Sequence, residues 1–203
     1  MKIFAIGRNY PDHARELNNP LPAEPVVFLK PDTALLKDNE AFYLPGFSQE
    51  IHYEVEVVLR VCKEGKHIAE KFAGNYVDAV GLGIDFTARD LQQQLKSKGL
   101  PWELAKGFDN SAPVSSFTAI KGLEAVSSLD FRLEINGKKV QEGNTGQMIF
   151  PAPRLLSFIS SFITLRKGDL IFTGTPPGVG KINAGDHLEG YLEGKRMLDF
   201  YIK

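Results

Sequence analysis

The chain has 203 residues, of which 43% are hydrophobic and 24% charged, and its formal net charge at pH 7 is -1. This is an ordinary globular composition, and the balanced charge leads us to expect neither a nucleic acid nor a membrane as a partner. The single cysteine, Cys62, excludes a disulfide within the chain and favours a cytoplasmic location. Its apolar surroundings predict that the Cys62 side chain is buried.

The first part of the chain is predicted to form short strands separated by loops. Lys2–Ile6 is a first strand, and NYPDHARELN is a short helix that begins near Pro11. PVVFLKP is a strand that is ended by a proline. Residues 50–60, EIHYEVEVVLR, alternate between polar and apolar and predict another strand. Its apolar face consists of Tyr53, Val55, Val57, Leu59 and Val61.

The opposite face of that strand carries two glutamates, Glu54 and Glu56. Either this face is exposed to water, or both carboxylates point at one metal ion. The buried strand predicted for AVGLGIDF ends in Asp85, which either caps a helix ahead of Thr87 or joins the glutamates. Three carboxylates converge only around a cation, because each pair repels. Hard oxygen ligands without a nearby cysteine favour Mg²⁺, Mn²⁺ or Ca²⁺ over Zn²⁺.

The second part of the chain contains the clearest helix and a hairpin. TARDLQQQLKSKG predicts a helix capped by Thr87 and ended by Gly99, and HIAEKFAGNY predicts a weaker helix. Asn136-Gly137 is the preferred type I′ turn of a hairpin. APRLLSFISSFI predicts a helix, and GDLIFTGTP and HLEGYLEGKRMLDFYI predict the last strands. Strands dominate and do not alternate regularly with helices, which indicates an α+β, mostly β fold in a single domain, residues 1–203.

Two further features could take part in chemistry. His13 and Glu16 lie three residues apart on a predicted helix, where they form either a general-base pair or a pair exposed to solvent. Lys106, in PWELAKGFD, is either buried among apolar neighbours or extends to solvent. TPPGVGK lacks the first glycine and the final Ser or Thr of a phosphate-binding loop, and GLGIDF lacks the third glycine of a dinucleotide-binding fold. We exclude both nucleotide motifs.

Seven segments, in order along nearly the whole chain, resemble the fumarylacetoacetate hydrolase family in its short single-domain branch. They are IGRNYPDHARE, PVVFLKP, IHYEVEVVL, GIDFTARDLQ, GLPWELAKGFD, INGKKVQEGNTGQMIF and GDLIFTGTPPGVG. Each segment is weak on its own, but the set and its spacing are specific. The resemblance implies a mixed β-roll of the C-terminal-domain type of that family, with a few short helices, and a homodimer.

The resemblance also implies a role for each residue of the site. The residues that match the metal ligands are Glu54, Glu56 and Asp85, for Mg²⁺ or Mn²⁺, with Ca²⁺ possible in a crystal. His13 and Glu16 match a water-activating pair on a lid segment, and Lys106 matches an active-site lysine. The residues that match substrate contacts are Arg8, Tyr10, Arg89, Gln92 and Thr175.

The implied function is metal-dependent hydrolysis of a carbon–carbon bond in a small 2-oxo acid. The substrate would be an acylpyruvate-type 2,4-dioxo acid, and the products pyruvate and a carboxylic acid. The same site could instead decarboxylate oxaloacetate, catalyse its keto–enol tautomerisation, or isomerise or hydrate a 2-hydroxydienoate in aromatic catabolism. A non-catalytic protein that binds a metal and an organic acid is an alternative of another class. The presence of His13, Glu16 and Lys106 argues against it.

Overall fold

Short strands in four sheets are the main secondary structure of the computed structural model, which describes residues 1–16 and 20–203. The strands are β1 Ile3–Gly7, β2 Val26–Lys30, β3 Leu35–Leu36, β4 Ile51–Tyr53, β5 Val55–Val61, β6 Val77–Ile84, β7 Thr87–Ala88, β8 Ala112–Pro113, β9 Thr118–Ala119, β10 Asp130–Ile135, β11 Lys138–Asn144, β12 Leu170–Phe172, β13 Gly180–Lys181, β14 His187–Leu192 and β15 Lys195–Tyr201. The helices are α1 Pro11–Glu16, α2 Arg89–Ser97, α3 Glu103–Lys106 and α4 Ala152–Phe162, with 3-10 helices at Asp32–Ala34, Glu70–Tyr76, Leu123–Val126 and Thr145–Gln147. This content confirms the predicted mostly β, α+β fold.

The largest sheet has six strands in the order β2-β1-β12-β5-β6-β9. β1 and β12 are parallel, whereas β5 is antiparallel to both of its neighbours, so the sheet is mixed as predicted. The predicted apolar face of the central segment is buried in the main core, which contains Tyr53, Val55, Val57, Leu59 and Val61. Val58, on the other face of β5, packs instead into a second apolar cluster with Phe28 and Phe172. The central strand is therefore covered on both faces.

A four-stranded antiparallel sheet, β11-β10-β14-β15, closes the main core. Leu82 of the large sheet and Leu198 of this sheet belong to the same buried cluster. The turn between β10 and β11 is the predicted one, since Asn136 and Gly137 both have positive φ, 53° and 75°. The hairpin prediction is confirmed.

The segment predicted as one strand over residues 50–60 is divided at Glu54. β4 pairs with β13 and β7 in a three-stranded sheet, whereas β5 continues in the six-stranded sheet. Antiparallel pairing of β5 with β6 places Glu56 opposite Gly83, and the amide of Asp85 donates to the carbonyl of Glu54 over 2.8 Å. The start of β5 therefore lies beside the end of β6, which brings all three predicted carboxylates together.

Three local predictions need correction. Thr87 does not cap α2, because it lies in β7 and its hydroxyl faces buried charged groups. HIAEKFAGNY contains a 3-10 helix, Glu70–Tyr76, in a stretch where Gly74 disfavours an α-helix. Cys62 is half-buried at the end of β5 rather than in the core.

The predicted helix NYPDHARELN begins at Pro11 and reaches Glu16, and Leu17 and Asn18 lie outside the described residues. The helix predicted for APRLLSFISSFI is confirmed as α4. Within residues 1–16 and 20–203, no helix has both the length and the apolar character needed to cross a membrane.

Candidate metal centre and its cleft

A cleft of about 430 Å³, including its open mouth, lies beside the start of β5. Most of the residues predicted for the site line this cleft, namely Arg8, His13, Glu54, Glu56, Arg89, Gln92, Lys106 and Thr175. They come from α1, the start of β5 and the residue before it, α2, α3, and the segments that follow β1 and β12. Residues that are up to 167 positions apart in the sequence therefore share one small space.

Glu54, Glu56 and Asp85 form the floor of the site. One carboxylate oxygen from each lies within 4.8 Å of the others, and all three residues are buried. The structure thus brings together the three acids that the sequence singled out. The alternatives, a polar strand face in water and a helix-capping Asp85, are wrong because neither side chain reaches solvent or a helix end. We refer to these three carboxylates as the acidic triad.

Lys106 binds two members of the acidic triad. Its Nζ lies 2.8 Å from Glu54 Oε2 and 2.7 Å from Asp85 Oδ2, and it donates to Thr87 Oγ1 over 2.6 Å. Burial alone would lower the pKa of Lys106, but Asp85 and Glu54 outweigh it and raise that pKa. Lys106 is therefore buried and charged, with all three of its donors in use.

Lys30 is a second buried cation at the triad, and the sequence did not single it out. Its Nζ lies 2.7 Å from Asp85 Oδ1 and donates to the carbonyl of Ser111 over 2.9 Å. It also donates to the carbonyls of Phe86 and Lys106. Burial lowers the pKa of Lys30, and Asp85 opposes that shift. A lysine at the end of the apolar run PVVFL is the signal that could have identified it.

Glu54 is the most strongly compensated acid of the triad. Besides Lys106, Arg89 Nη2 donates to Glu54 Oε1 over 2.5 Å, and Arg89 Nη1 donates to Gln92 Oε1 over 2.7 Å. Burial alone would raise the pKa of Glu54, but Lys106 and Arg89 hold it well below the ordinary value. Glu54 is thus ionised and fixed in place before any metal binds.

Glu56 differs from its two neighbours because, within residues 1–16 and 20–203, no lysine, arginine or histidine forms an ion pair with it. Its Oε2 accepts the backbone amide of Gly174 over 2.6 Å. Burial, followed by Asp85 and Glu54, raises the pKa of Glu56 well above the ordinary value. Gly174 has a φ of 105°, and a Cβ there would lie 2.6 Å from Asn9 Cβ, so only glycine fits.

The donor set fits a hard divalent cation. Among the described residues, Asp85 Oδ1 accepts no hydrogen bond, because its approach to Lys30 is close but poorly aligned for one. Glu56 forms no ion pair with residues 1–16 or 20–203, so a bound cation would be the first positive group to pair with it. Buried oxygens of this kind, with no cysteine among them, are the ligands that Mg²⁺ and Mn²⁺ prefer. The triad could therefore hold one such ion.

His13 and Glu16 form the predicted pair at the wall of the cleft. His13 Nδ1 lies 3.1 Å from Glu16 Oε2, and the His13 side chain is only 5% exposed, so a solvent-facing pair is excluded. A carboxylate accepts hydrogen bonds, so the tautomer that suits this contact has the proton on Nδ1 and the acceptor lone pair on Nε2. Glu16 Oε1 also accepts the amide of Gly178 over 3.0 Å, which joins α1 to the loop after β12.

Thr175 lines the cleft, and its hydroxyl donates to the carbonyl of Val55 over 2.8 Å. The side chain of Gln141 accepts the Val55 amide and donates to Thr175 Oγ1, each over 2.9 Å. Gln141, on β11, therefore connects the four-stranded sheet to the site. It was not predicted, since a glutamine in a hairpin strand gives no distinguishing signal.

Tyr10 is the predicted substrate contact that the structure does not place among the cleft-lining residues. Its ring is 1% exposed and packs edge-on against Phe131 at a centroid distance of 6.2 Å. Its hydroxyl has no hydrogen-bond partner among the described residues. Burial, with a contribution from Glu56, raises the pKa of Tyr10. Tyr10 thus lies behind the triad as a core residue.

Comparison with known proteins identifies the family to which the chain belongs. The family described as fumarylacetoacetate (FAA) hydrolase C-terminal matches residues 2–199, and the chain belongs to this family. Its members include enzymes that act on 2-oxo acids. The resemblance found in the sequence is confirmed.

The names of individual relatives give several different activities. Oxaloacetate tautomerase FAHD1, mitochondrial, from Mus musculus is 42% identical over 201 residues, covering 99% of this chain and 91% of that protein. Oxaloacetate decarboxylase, mitochondrial, from Dictyostelium discoideum is 42% identical over 194 residues, covering 95% and 89%. A crystal structure of fumarylpyruvate hydrolase from Pseudomonas aeruginosa, in complex with Mn²⁺ and pyruvate, superposes with a TM-score of 0.94 at 32% identity, covering 100% of this chain and 89% of that one.

Proposed function

We propose that this chain is a metal-dependent hydrolase that breaks the C3–C4 bond of acylpyruvate-type 2,4-dioxo acids, giving pyruvate and a carboxylic acid. The observation that carries the proposal is that the acidic triad and the His13–Glu16 pair meet in one cleft. The addition of water to a carbonyl is catalysed by a metal ion together with a separate, oriented general base. Residues 1–203 would act as one catalytic domain.

The metal would be held by Glu54, Glu56 and Asp85, with Mg²⁺ as the first candidate and Mn²⁺ as the second. The Mn²⁺ and pyruvate in the Pseudomonas aeruginosa structure support this choice. When bound, the cation supplies positive charge where the substrate becomes negative as the C3–C4 bond breaks. Lys106 would act beside it by holding Glu54 and Asp85 in position, since its donors are already engaged with these groups and Thr87.

The His13–Glu16 pair would activate the attacking water. His13 Nε2 takes a proton from water, and Glu16 stabilises the resulting imidazolium through Nδ1. The hydroxide adds to C4, the C3–C4 bond breaks, and its electron pair passes to C3 and the C2 oxygen as pyruvate enolate. Return of the proton to C3 gives pyruvate, and the acyl group leaves as the carboxylic acid. Arg8, Arg89, Gln92 and Thr175 line the same cleft, which supports a role for them in contacting the substrate.

Oxaloacetate is the substrate of the second candidate function, which the two relatives at 42% identity favour. In decarboxylation, C4 departs as CO₂ and the same enolate takes up a proton at C3. In tautomerisation, a proton moves between C3 and the C2 oxygen. His13, which lines the cleft, would be the base that transfers it. Neither reaction needs an attacking water. Isomerisation or hydration of a 2-hydroxydienoate would use the same carboxylates and stays a third prediction.

A homodimer in the cytoplasm is part of the proposal and follows from the family resemblance and the single cysteine. The relatives from mouse and Dictyostelium discoideum are named as mitochondrial. Light scattering of the purified protein measures the oligomeric state. A monomer at micromolar concentration would contradict the dimer.

Purified protein assayed with acetylpyruvate, fumarylpyruvate and oxaloacetate, with Mg²⁺ and with a chelator, tests the function. We expect Mg²⁺-dependent release of pyruvate from the acylpyruvates, reduced about 100-fold or more in His13→Asn, the usual contribution of a general base. His67→Asn is the matched control, because His67 is exposed and outside the cleft. If oxaloacetate alone is turned over, the second candidate function is correct and the hydrolase proposal is wrong. Turnover of none of the three would leave the non-catalytic binding protein.

A further inference from the structure

The residues that line the cleft also include Arg8, Lys96 and Trp102. Arg8 follows β1 directly, Lys96 lies on α2, and Trp102 precedes α3. Two of them are cations, in addition to Lys30, Lys106 and Arg89, which pair with Asp85 and Glu54. Arg8 and Lys96 are thus a second group of positive charge in the cleft.

The face of α2 shows where this group lies relative to the triad. Arg89, Gln92 and Lys96 are spaced at i, i+3 and i+7, so they form one row along the helix. Arg89 and Gln92 are 8% and 7% exposed, whereas Lys96 is exposed. Seven residues correspond to about 10 Å along the axis. The row therefore runs from Glu54, which Arg89 binds, outward to the mouth of the cleft.

Arg8 is held at that mouth by a strained backbone. It is one of the non-glycine residues with positive φ, 59°, a conformation that is unfavourable for residues with a Cβ. The next residue, the fully buried Asn9, fixes the turn, since its side chain donates to the carbonyl of Thr173 over 2.8 Å and accepts the amide of Phe150 over 2.8 Å. Backbone strain of this kind persists where surrounding structure maintains it, and it concentrates at functional sites.

The Arg8 guanidinium lies 5.9 Å from the centre of the Trp102 ring. Within the described part of the chain, no carboxylate forms an ion pair with it. Lys96 is near enough that burial, Arg8 and Arg89 together lower the pKa of Lys96. Cations gathered at the opening of a cleft repel one another, and a bound anion removes that repulsion.

We propose that Arg8 and Lys96 bind a second carboxylate, at the far end of a substrate whose 2-oxo acid end is held at the triad. This inference rests on the proposed function and narrows its substrate class to 2-oxo acids that carry a distal carboxylate. Trp102, half-buried against Arg8, forms the apolar wall along which the intervening carbons pass. Monocarboxylic analogues of equal length lack the group that Arg8 and Lys96 recognise.

Calorimetric titration of the Mg²⁺-loaded protein with two unreactive ligands tests the proposal. 2-Oxoglutarate and 2-oxopentanoate have five carbons each and the same 2-oxo acid end, and they differ only in the distal carboxylate. We expect the parent protein to bind 2-oxoglutarate at least about tenfold more tightly, the worth of one charge-assisted hydrogen bond. Lys96→Gln should abolish most of that preference, Lys96→Arg should restore it, and Arg8→Asn, which tolerates a positive φ, should weaken it as well.

Lys98→Gln is the matched control, because it removes the same charge from the end of the same helix, outside the cleft. Equal binding of both ligands by the parent, or a preference that survives Lys96→Gln and Arg8→Asn, would overturn the subsite and leave the proposed function standing. Equal weakening of both ligands would show that these cations bind the common carboxylate instead. Binding of neither ligand would overturn the 2-oxo acid function and the subsite with it.

The same variants give a kinetic readout. Lys96→Gln should lower kcat/KM for fumarylpyruvate by about tenfold and leave that for acetylpyruvate within about twofold of the parent. Both substrates lose the same bond, so a defect in the chemistry would affect them equally. An equal loss for both would therefore contradict the subsite.

Discussion

Glu56→Gln is the substitution that tests metal binding while leaving the ion pairs of the site intact. Glu54 and Asp85 are paired with buried cations, so removing either acid also takes a carboxylate partner away from Lys106 and from Lys30 or Arg89. Glu56 has no such partner within the described residues, and a glutamine can still accept the Gly174 amide. The substitution removes one negative charge at nearly constant shape.

The structure sets the scale of the effect. Charges on carboxylate oxygens that lie within 4.8 Å of each other repel by about 3.5 kcal/mol or more at an effective dielectric of 20. Glu56 faces two such neighbours, and the nearby lysines offset part of this repulsion. We expect metal-free Glu56→Gln to be more stable than the metal-free parent by at least about 1 kcal/mol at pH 8, which raises Tm by roughly 2–4 °C in a chain of this size.

Mg²⁺ should stabilise the parent protein much more than it stabilises Glu56→Gln. At 100 times its Kd, Mg²⁺ would stabilise the parent by about 2.7 kcal/mol. That corresponds to roughly 5–11 °C in Tm, and Glu56→Gln should lose most of the increase. Differential scanning calorimetry with and without Mg²⁺ measures both effects, with the exposed Glu24→Gln as control. A Glu56→Gln protein that keeps the full Mg²⁺ response, or is less stable than the parent without metal, would refute the reasoning.

Three further predictions concern the groups around Glu56. Lys30→Met should lower the free energy of unfolding by about 3–5 kcal/mol, because it leaves Asp85 as a buried charge with one cation fewer; urea denaturation measures this. Glu16→Gln should reduce acylpyruvate hydrolysis by about tenfold or more and oxaloacetate decarboxylation distinctly less, as steady-state rates will show. The raised pKa of Glu56 means that the folded metal-free protein retains a proton that the unfolded chain loses, so its stability should fall as pH rises above the ordinary glutamate range.

Each of these has a control that uses the same chemistry elsewhere. Lys37→Met removes an exposed lysine and should change the free energy of unfolding little. A loss as large as that in Lys30→Met would contradict the stabilising role of the buried Lys30. Equal losses of hydrolysis and decarboxylation in Glu16→Gln would mean that the pair does not selectively activate water. The pH dependence between pH 5 and 8 should flatten in Glu56→Gln and with saturating Mg²⁺, and a slope unchanged in both would assign it to other groups.

Much of the site was predictable because its residues stand out against their local pattern. A glutamate pair on an otherwise apolar strand and Asp85 at the end of a buried strand are unusual choices, and they converge as expected. The hairpin at Asn136 and the helix α4 follow from local turn and periodicity rules. The family resemblance then joined residues that no local rule connects.

What the sequence did not show depends on tertiary contacts. The break at Glu54 arises because β4 and β5 pair with different strands, which the alternating pattern cannot reveal. Thr87 was assigned as a cap by local rules, whereas its hydroxyl is needed by Glu54 and Lys106. Lys30 and Gln141 act through buried side chains that meet partners more than 50 positions away. Such partners become visible only when the sheets are assembled.

Anomalous diffraction at the manganese edge, from crystals grown with Mn²⁺ and pyruvate, tests most directly whether the acidic triad holds the metal. We predict a single strong manganese peak coordinated by oxygens of Glu54, Glu56 and Asp85, with pyruvate beside it in the cleft. A peak at another group of acids, such as Asp130 and Glu142 on the four-stranded sheet, with none at the triad, would contradict the account.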